Sequence, residues 1–284
     1  MECCCVYEKE RIFIVTLEPA AIVMIAIFFF LYGIVIGSFV NVVIMRTPIH
    51  ESITLKRSHC MTCGHTIRWY DLIPLFSYVF LKGKCRDCGS HISIQYPIVE
   101  GANGIIYAGI YLYREFVLYE GISVNTFLYC FAASALLALS VIDWRTQEIP
   151  FGINVFIFIL GLIRLFTDLK HWPEYVIGFF AVSGFLALLI VFCNLVLHKE
   201  AMGWGDVKLM AATGLLLGWK LNILAFFIGC ILGSVIHLTR MAIKKGTDHV
   251  LAFGPYLSMG LFIVMIWGEQ LVSWYLRMWN FKNI

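Results

Sequence analysis

The chain has 284 residues, of which 61% are hydrophobic and 14% are charged, and its formal net charge is +3. Soluble globular domains are about 45–50% apolar and about 25% charged, so this composition excludes an ordinary soluble domain. The apolar residues occur in runs close to membrane-spanning length and indicate an all-α, polytopic membrane protein. The small net charge gives no reason to expect a nucleic-acid partner.

The length of the apolar runs predicts about eight membrane-spanning helices. The expected spans are Ala20–Met45, Pro97–Tyr113, Val124–Ile142, Phe151–Phe166, Tyr175–Leu197, Val207–Trp219, Leu221–Leu238 and Val250–Leu276. The first run is too long for a secretory signal peptide, and Gly33 and Gly37 lie at its centre. The preceding stretch 1–18, with its three consecutive cysteines, contains no motif to which a role can be assigned.

Lysine and arginine are distributed unequally between the two sides of the expected membrane. With the N-terminus outside, 13 of the 21 fall in inner segments and 8 in outer segments. Basic residues concentrate on the cytoplasmic side, so the long hydrophilic segment 47–96 is expected to be cytoplasmic. The chain then divides into an N-terminal segment with the first helix (1–46), a cytoplasmic insertion (47–96) and a membrane domain (97–284).

The hydrophilic insertion contains two Cys-x-x-Cys sequences separated by 21 residues, and a glycine follows each. The cysteines are Cys60, Cys63, Cys85 and Cys88. Two tight turns that each supply two thiolates are the pattern of a structural zinc site. A cytoplasmic location disfavours disulfides, so zinc is favoured over two redox pairs or a metal-free loop. Four thiolates leave no open coordination position, and zinc would therefore fold the insertion rather than catalyse.

Two aspartates lie at the edges of apolar runs. Asp143 ends the run Cys130–Ile142 a few residues before Pro150, which fits the first turn of the next helix. Asp206 lies in the sequence Gly-Trp-Gly-Asp-Val-Lys and opens another run. Carboxylates at the edge of hydrocarbon are costly and tend to mark functional sites. The expected topology places both on the cytoplasmic side.

Two carboxylates held close together can hydrolyse a peptide bond. Like charges at short range do not both ionise, so the pair shares a proton. The ionised partner activates water, and the protonated partner donates to the carbonyl oxygen. Alternatively, each aspartate is a helix cap or an ion-pair partner of Arg145 or Lys208. Gly203 and Gly205 favour catalysis, because they permit an open backbone with which an extended substrate strand could pair.

An ordered set of motifs resembles the type IV prepilin peptidases, membrane aspartyl proteases that also N-methylate their product. Gly-x-Gly-Asp-x-Lys around Asp206 is the signature of that family, and Asp143 with Ile149-Pro150 resembles its first aspartate motif. The other matches are Gly37–Val42 with Arg46, the two cysteine pairs, Trp69-Tyr70-Asp71, Ile73-Pro74, Gln95–Glu100 and Phe253–Tyr256. The set covers most of the chain, although 1–18 has no counterpart.

The resemblance implies cleavage of the leader peptides of type IV prepilins and pseudopilins at the cytoplasmic face of the bacterial inner membrane. Asp143 and Asp206 would be the catalytic pair, and Lys208 would assist electrostatically at most. The resemblance also implies that the new N-terminal amine is methylated from S-adenosylmethionine.

The methyl-donor site is less clearly indicated, because the chain contains no glycine-rich dinucleotide fingerprint. Asn41, Arg46, Asp71 and Glu100 are candidates, since they are polar groups near the cytoplasmic boundary and a carboxylate there would favour a sulfonium. Alternatively, Asn41 forms a hydrogen bond between helices and Glu100 pairs with an arginine of the insertion.

Two other classes of function are compatible with parts of this pattern. An ion-coupled transporter also uses intramembrane carboxylates, but transporters commonly show internal repeats and midplane sites, and neither is evident here. A zinc-bearing scaffold or sensor would use the insertion to bind a partner, with structural aspartates. A peptidase has to admit the apolar helix of its substrate from the lipid, so an opening towards lipid near both aspartates is expected. The oligomeric state and the particular pilin are not indicated.

Overall fold

The computed structural model describes residues 19–197, 203–243 and 252–281. These residues are mainly helical and contain no β-strand, only the isolated bridges His59–Thr66 and Lys84–His91 in the insertion. The all-α expectation is therefore confirmed for the described part of the chain. The stretch 1–18 and the expected start of the last span at Val250 lie outside it.

Eight helices of 14 or more residues and one short helix form the described fold. They are α1 (Pro19–Arg46), α2 (Phe76–Phe80), α3 (Gln95–Tyr113), α4 (Val124–Thr146), α5 (Phe151–Thr167), α6 (Trp172–Phe192), α7 (Trp204–Leu217), α8 (Trp219–Ile243) and α9 (Gly254–Phe281). The insertion, which contains α2, lies between α1 and α3.

Five of the described helices are long and apolar enough to cross a membrane: α1, α4, α6, α8 and α9. The protein is therefore an integral membrane protein. The helices α3, α5 and α7 have 19, 17 and 14 residues. At about 1.5 Å per residue α7 is only about 21 Å long, against a hydrocarbon core about 30 Å thick. The expectation of eight spans stays a prediction for these three helices.

The short helix α7 lies inside the bundle. Ten of its 14 residues are buried, and it packs against α5, α6 and α8. A helix without a polar face is buried either in protein or in lipid, and the burial of α7 shows that protein surrounds it. Gly178 of α6 and Gly214 of α7 leave no room for a β-carbon between the two helices. Asn222 of α8 donates from Nδ2 to the Met210 carbonyl at 2.9 Å, which fixes α7 from a second side.

The helices α1 and α3 also cross closely, and glycine is again the reason. A β-carbon on Gly37 would lie 2.8 Å from the Cα atom of Glu100. Small residues at such crossings let backbones approach and polar side chains hydrogen-bond across helices. Asn103 of α3 donates to the Gly33 carbonyl at 2.7 Å and accepts from Ser134 of α4 at 2.8 Å. This network holds the two helices from which the insertion emerges against the central helix α4.

Candidate aspartate site and cysteine cluster

Asp143 lies in the last turn of α4, as the sequence predicts. The helix ends at Thr146, and Gln147 takes a left-handed conformation with a φ of 56°. The Gln147 N–H donates to the Asp143 carbonyl at 2.9 Å and so closes the helix. The Asp143 side chain points into the bundle, where the residue is 4% exposed.

The first residue of α9 holds the carboxylate of Asp143. The backbone N–H of Gly254 donates to Asp143 Oδ2 at 2.9 Å. This donor is available because the first N–H groups of a helix have no partner within the helix. A β-carbon on Gly254 would lie 2.7 Å from Asp143 Oδ2, so no side chain fits there without displacing the carboxylate.

Asp206 lies in the first turn of α7, which begins at Trp204 rather than after the aspartate. The partial positive charge of a helix N-terminus favours a carboxylate at this place. The residue is 7% exposed, and its Oδ1 atom is buried without a hydrogen-bond partner among the described residues. A buried polar atom without a partner is costly in free energy and is a common feature of sites that bind something else.

The connection between α4 and α5 brings the two aspartates together. Ile149 in this connection packs on Gly205, where a β-carbon would lie 2.8 Å from the Ile149 Cβ atom. The end of α4 is thereby held against the beginning of α7. In addition, Asn154 of α5 donates from Nδ2 to the Gly205 carbonyl at 3.4 Å. These two contacts place the end of α4, with Asp143, beside the first turn of α7, with Asp206.

The expected open backbone before Asp206 is found at Gly203 but not at Gly205, and the prediction is wrong for Gly205. Gly205 is the second residue of α7, so its backbone is helical and is covered by Ile149. Its small size permits the close approach of the α4–α5 connection. Gly203, the N-cap residue, is extended and exposed, with a φ of −73° and a ψ of 140°.

The ion-pair alternative is also wrong within the described part of the chain. Neither aspartate forms a salt bridge there. Arg145 donates instead to Gln95 Oε1 and contacts Met45 Sδ at 3.8 Å. The Lys208 ammonium lies 5.2 Å from the centre of the Phe151 ring. Among the described residues, no cation therefore neutralises either carboxylate.

The expected lipid-facing opening beside both aspartates is not present in this conformation. Both carboxylates are nearly enclosed, at 4% and 7% exposure for the two residues. On the neighbouring surface, the Arg240 guanidinium of α8 lies 5.4 Å from the ring centre of Trp144. Since Trp144 follows Asp143 directly, this contact joins the end of α8 to the end of α4 next to the pair. Access of a peptide requires movement of helices here.

The four predicted cysteine ligands form one cluster in the insertion. Their sulfur atoms all lie within 4.8 Å of one another, and Cys60 Sγ is 3.9 Å from Cys88 Sγ. All four are free thiols. A tetrahedral zinc–thiolate site with bonds of about 2.3 Å would place its sulfur atoms about 3.8 Å apart. The cluster could thus hold a metal ion, and the donor set fits the expected zinc.

The two cysteine turns have the same local structure. In each, the glycine after the second cysteine is left-handed, with φ values of 69° at Gly64 and 71° at Gly89. Each glycine N–H donates to the carbonyl of the first cysteine, at 2.8 and 2.9 Å. Glycine adopts this conformation without strain. The glycine after each cysteine pair therefore closes the turn that directs the thiols towards one another.

Hydrogen bonds favour the thiolate form at two of the four cysteines, Cys60 and Cys88. At Cys63 the His65 N–H lowers the pKa, but burial and the neighbouring thiols outweigh it and raise the pKa to about 11. The backbone N–H of Cys63, followed by the Ser90 hydroxyl, lowers the pKa of Cys60 to about 5. The same hydroxyl lies 3.0 Å from Cys88 Sγ and lowers the pKa of that thiol. Since metals bind thiolates rather than thiols, these donors prepare the cluster for a cation. The neighbouring His65 does not face the thiols, because its Nε2 atom lies 3.8 Å from Asp87 Oδ2.

Two family models match the chain. The bacterial peptidase A24 N-terminal domain matches residues 31–114, and the type IV leader peptidase family matches residues 130–238. A prepilin leader peptidase/N-methyltransferase of Pseudomonas putida is 32% identical over 90% of this chain and 94% of its own length. The chain belongs to the type IV leader peptidase family.

Other relatives of the family align over similar lengths. Enzymes of the same printed name from Bacillus subtilis and Pseudomonas aeruginosa are 33% and 31% identical. They cover 88% and 93% of this chain and 97% of each relative. No solved structure matches the chain. Within the two matched regions, the cysteine cluster falls in the first and both aspartates fall in the second.

The four candidates for the methyl-donor site do not form a cluster of free groups. Asn41 donates to the Tyr96 carbonyl at 3.1 Å, which is the interhelical bond considered as its alternative. Arg46 is surrounded by carbonyl oxygens of the insertion, those of Ser52, Ile53, Lys56 and Arg57. These two residues therefore have structural partners that fix the insertion to α1 and α3.

The two acidic candidates differ in environment. Asp71 receives a bidentate contact from Arg86, whose guanidinium lowers the pKa of that carboxyl. Glu100 is 6% exposed and accepts the backbone N–H of Leu75 at 2.8 Å. The alternative that Glu100 pairs with an arginine of the insertion is wrong, because no described residue forms a salt bridge with it.

Sequence reasoning missed two residues that contact the aspartate site. Gly254 belongs to a motif that was noted, but its role as donor to Asp143 depends on where α9 begins. Asn154 is buried in α5, and its Oδ1 atom has no hydrogen-bond partner among the described residues. A buried asparagine four residues after Pro150 was the available signal, but a single polar residue in an apolar helix does not indicate which helix it faces.

Proposed function

We propose that this protein cleaves the leader peptides of type IV prepilins and pseudopilins, with Asp143 and Asp206 as its catalytic pair. The observation that carries the proposal is that two buried carboxylates, unpaired by any described cation, lie at helix ends that Ile149 and Gly205 hold together. The chain in which they lie belongs to the type IV leader peptidase family. The proposed site lies on the cytoplasmic side of the bacterial inner membrane, because the basic insertion flanks it.

The proposed reaction is hydrolysis without a covalent intermediate. The Gly254 N–H stabilises charge on Asp143, and the unpartnered Oδ1 of Asp206 is suited to carry a proton. Asp143 would then take a proton from water as the water oxygen attacks the scissile carbonyl. Asp206 would donate its proton to the carbonyl oxygen, which gives a diol intermediate. As the C–N bond breaks, the proton held by Asp143 would pass to the leaving amine and a diol hydroxyl would return its proton to Asp206.

The decisive experiment replaces each aspartate by asparagine, which keeps the size and removes the carboxylate. Purified Asp143→Asn and Asp206→Asn proteins in lipid should each lose prepilin cleavage by at least about 100-fold, the usual scale of general acid–base catalysis. Asp168→Asn is the matched control, because this carboxylate bonds to His171 and Tyr175 away from the site. Cleavage that survives either active-site change in a folded protein would refute the dyad.

We further propose zinc as the metal of the cysteine cluster and assign it a structural role. Four thiolates complete a tetrahedral shell, so Cys60, Cys63, Cys85 and Cys88 would hold the ion and leave no place for substrate. The ion would supply folding free energy to an insertion whose side chains are mainly half-buried or exposed.

Methylation of the new N-terminus from S-adenosylmethionine is the second proposed activity. The donor supplies an electrophilic methyl group on a sulfonium. Among the candidates, Glu100 fits best, because its buried carboxylate has the Leu75 N–H as a partner but no cation among the described residues. Asp71 is already occupied by Arg86.

The variant Glu100→Gln tests this assignment. It should lower methylation by about 10-fold or more, since a buried charge opposite a sulfonium is worth a few kcal/mol. Prepilin cleavage should continue. Asp71→Asn serves as the comparison and should affect methylation less. Equal loss of both activities in Glu100→Gln would indicate that Glu100 only anchors Leu75.

A further inference from the structure

The insertion exposes an unusual number of large apolar side chains. Trp69, Val79 and Phe80 are 79%, 72% and 80% exposed. Together with three neighbours they form what we call the apolar patch, which consists of Trp69, Leu72, Ile73, Phe76, Val79 and Phe80. Contiguous exposed apolar surface in a folded protein marks an interaction site or a membrane contact.

The patch is one surface rather than scattered side chains. Phe76, Val79 and Phe80 belong to α2 at positions i, i+3 and i+4, which lie on one face of a helix. The Ser77 hydroxyl of α2 donates to the Tyr70 carbonyl at 3.0 Å. This bond fixes α2 to the turn that carries Trp69, so both parts of the patch are held together.

The patch is attached to the beginning of α3. The N–H of Leu75, just before α2, donates to Glu100 in the second turn of α3 at 2.8 Å. Leu75 Cδ2 also lies 3.9 Å from the position of a β-carbon on Gly101. Leu75 has a φ of 61°, a conformation that a branched residue adopts only when its surroundings fix it. The attachment is therefore specific.

The outer surface of α3 continues the apolar surface of the patch. Ile94, Ile98 and Ile105 are 63%, 58% and 66% exposed. Their spacing of four and seven residues places them on one face of the helix, the face that an integral membrane protein turns to lipid. Gly101, which Leu75 contacts, is next to this face. Leu75 therefore places the patch beside the exposed apolar face at the beginning of α3.

Charge near the patch fits a lipid headgroup layer. Lys82 and Lys84 lie two and four residues after Phe80, and both are exposed. Neither forms a salt bridge with a described residue. Lysines beside exposed aromatic side chains are attracted to anionic headgroups, and tryptophan favours the interface between headgroups and hydrocarbon. The combination is that of an interfacial membrane anchor.

We propose that the apolar patch inserts into the headgroup layer of the adjacent leaflet of an anionic bilayer, so that the insertion lies on the membrane surface. The anchor would fix the height of the cysteine cluster above the membrane. This surface role goes beyond the proposed peptidase activity and is independent of it, because it requires neither aspartate.

Site-specific photo-crosslinking tests the contact in the full-length protein. The photoreactive residue p-benzoylphenylalanine replaces Val79 or Phe80, and the protein is placed in nanodiscs of phosphatidylglycerol and phosphatidylcholine. Thr62 and Asp87, exposed positions on the two cysteine turns, are the matched control sites. Lipid adducts at the patch should exceed those at the controls by roughly fivefold or more if the side chains reach the headgroup layer.

Equal adduct yields at patch and control sites would overturn the proposal. So would adducts of the patch with a second copy of the chain in place of lipid, which would indicate a dimer contact. A second measurement uses brominated lipids, which quench tryptophan emission at the interface. Trp69→Phe should lower the fraction of emission that these lipids quench, and an unchanged fraction would contradict membrane contact.

Discussion

The cysteine cluster and the aspartate pair are both sets of side chains that converge from separate points of the chain, but they are built differently. The cluster joins residues 60–88, and each half is closed by a glycine turn and backbone hydrogen bonds of its own. The aspartates are 63 positions apart and meet only because α4, α5, α7 and α9 pack together. Local backbone turns form the cysteine cluster, whereas the packing of distant helices forms the aspartate site.

Burial also separates the two sites. Cys63 and Cys88 are exposed, whereas Asp143 and Asp206 are buried at 4% and 7% exposure. Thiolates in an exposed turn are stable with a metal, because the metal supplies the missing partner. Buried carboxylates that no described cation neutralises cost folding free energy. The difference teaches that exposed thiols can gain their missing partner from a bound ion, whereas buried carboxylates have to gain theirs from each other or from a substrate.

The largest expected effect is the loss of bound metal from the cysteine cluster, which should leave the membrane helices intact. Cys60→Ser should reduce bound zinc from about one ion per chain to less than roughly a tenth, because three thiolates no longer close the shell. The insertion should become sensitive to protease, while the membrane helices keep their helical content. Metal analysis and limited proteolysis in lipid provide the measurements.

Cys193→Ser is the control for this change, since Cys193 is partly buried at the end of α6 and outside the cluster. It should retain its metal. If wild-type protein purified under reducing conditions carried far less than one zinc per chain, the structural zinc assignment would be wrong.

The next effect tests whether the start of α9 belongs to the aspartate site. Gly254→Ala would place a methyl group 2.7 Å from Asp143 Oδ2 and would displace the carboxylate or α9. A shift of about 1 Å in a catalytic group can cost about 100-fold in rate, so prepilin cleavage should fall by that order. Steady-state cleavage of a leader peptide provides the measurement.

Gly184→Ala is the matched control for Gly254→Ala, because no atom lies within 4 Å of a β-carbon at Gly184. It should cleave at the wild-type rate. A Gly254→Ala protein with unchanged cleavage would show that the hydrogen bond to Asp143 does not orient the carboxylate.

The smallest of the three effects concerns the contact that holds α4 to α7. Gly205→Ala would place a methyl group 2.8 Å from Ile149 Cβ and should destabilise the contact by about 1–3 kcal/mol, the usual cost of overpacking. Cleavage should fall by about 10-fold. The double variant Gly205→Ala/Ile149→Ala should recover part of this loss, because it removes the opposing side chain.

Gly152→Ala is the control, since a β-carbon at this neighbouring position meets nothing within 4 Å. If Gly205 instead paired with a substrate strand, the Ile149→Ala change would restore nothing. Absence of any recovery in the double variant would therefore contradict the packing role of Gly205.

The predictability of each element follows from the range of its interactions. Asp143 was correctly expected at a helix end, because the apolar run before it has a clear limit. The open backbone at Gly205 was wrongly expected, because glycine serves both exposed strands and tight helix contacts, and sequence does not separate these uses. The lateral opening was likewise expected from what a peptidase requires, whereas the packing encloses both carboxylates in this conformation.

The amino-acid sequence by itself determined the membrane class, the helical architecture and the two cysteine turns. It also singled out Asp143 and Asp206 as the two candidate site residues. These depend on hydropathy, on local backbone conformation and on motif order. Only the tertiary structure decided that Gly254 donates to Asp143, that Ile149 covers Gly205, and that Leu75 fixes the apolar patch to α3. Each of these contacts joins residues whose partners are set by close packing of distant helices, which no local pattern records.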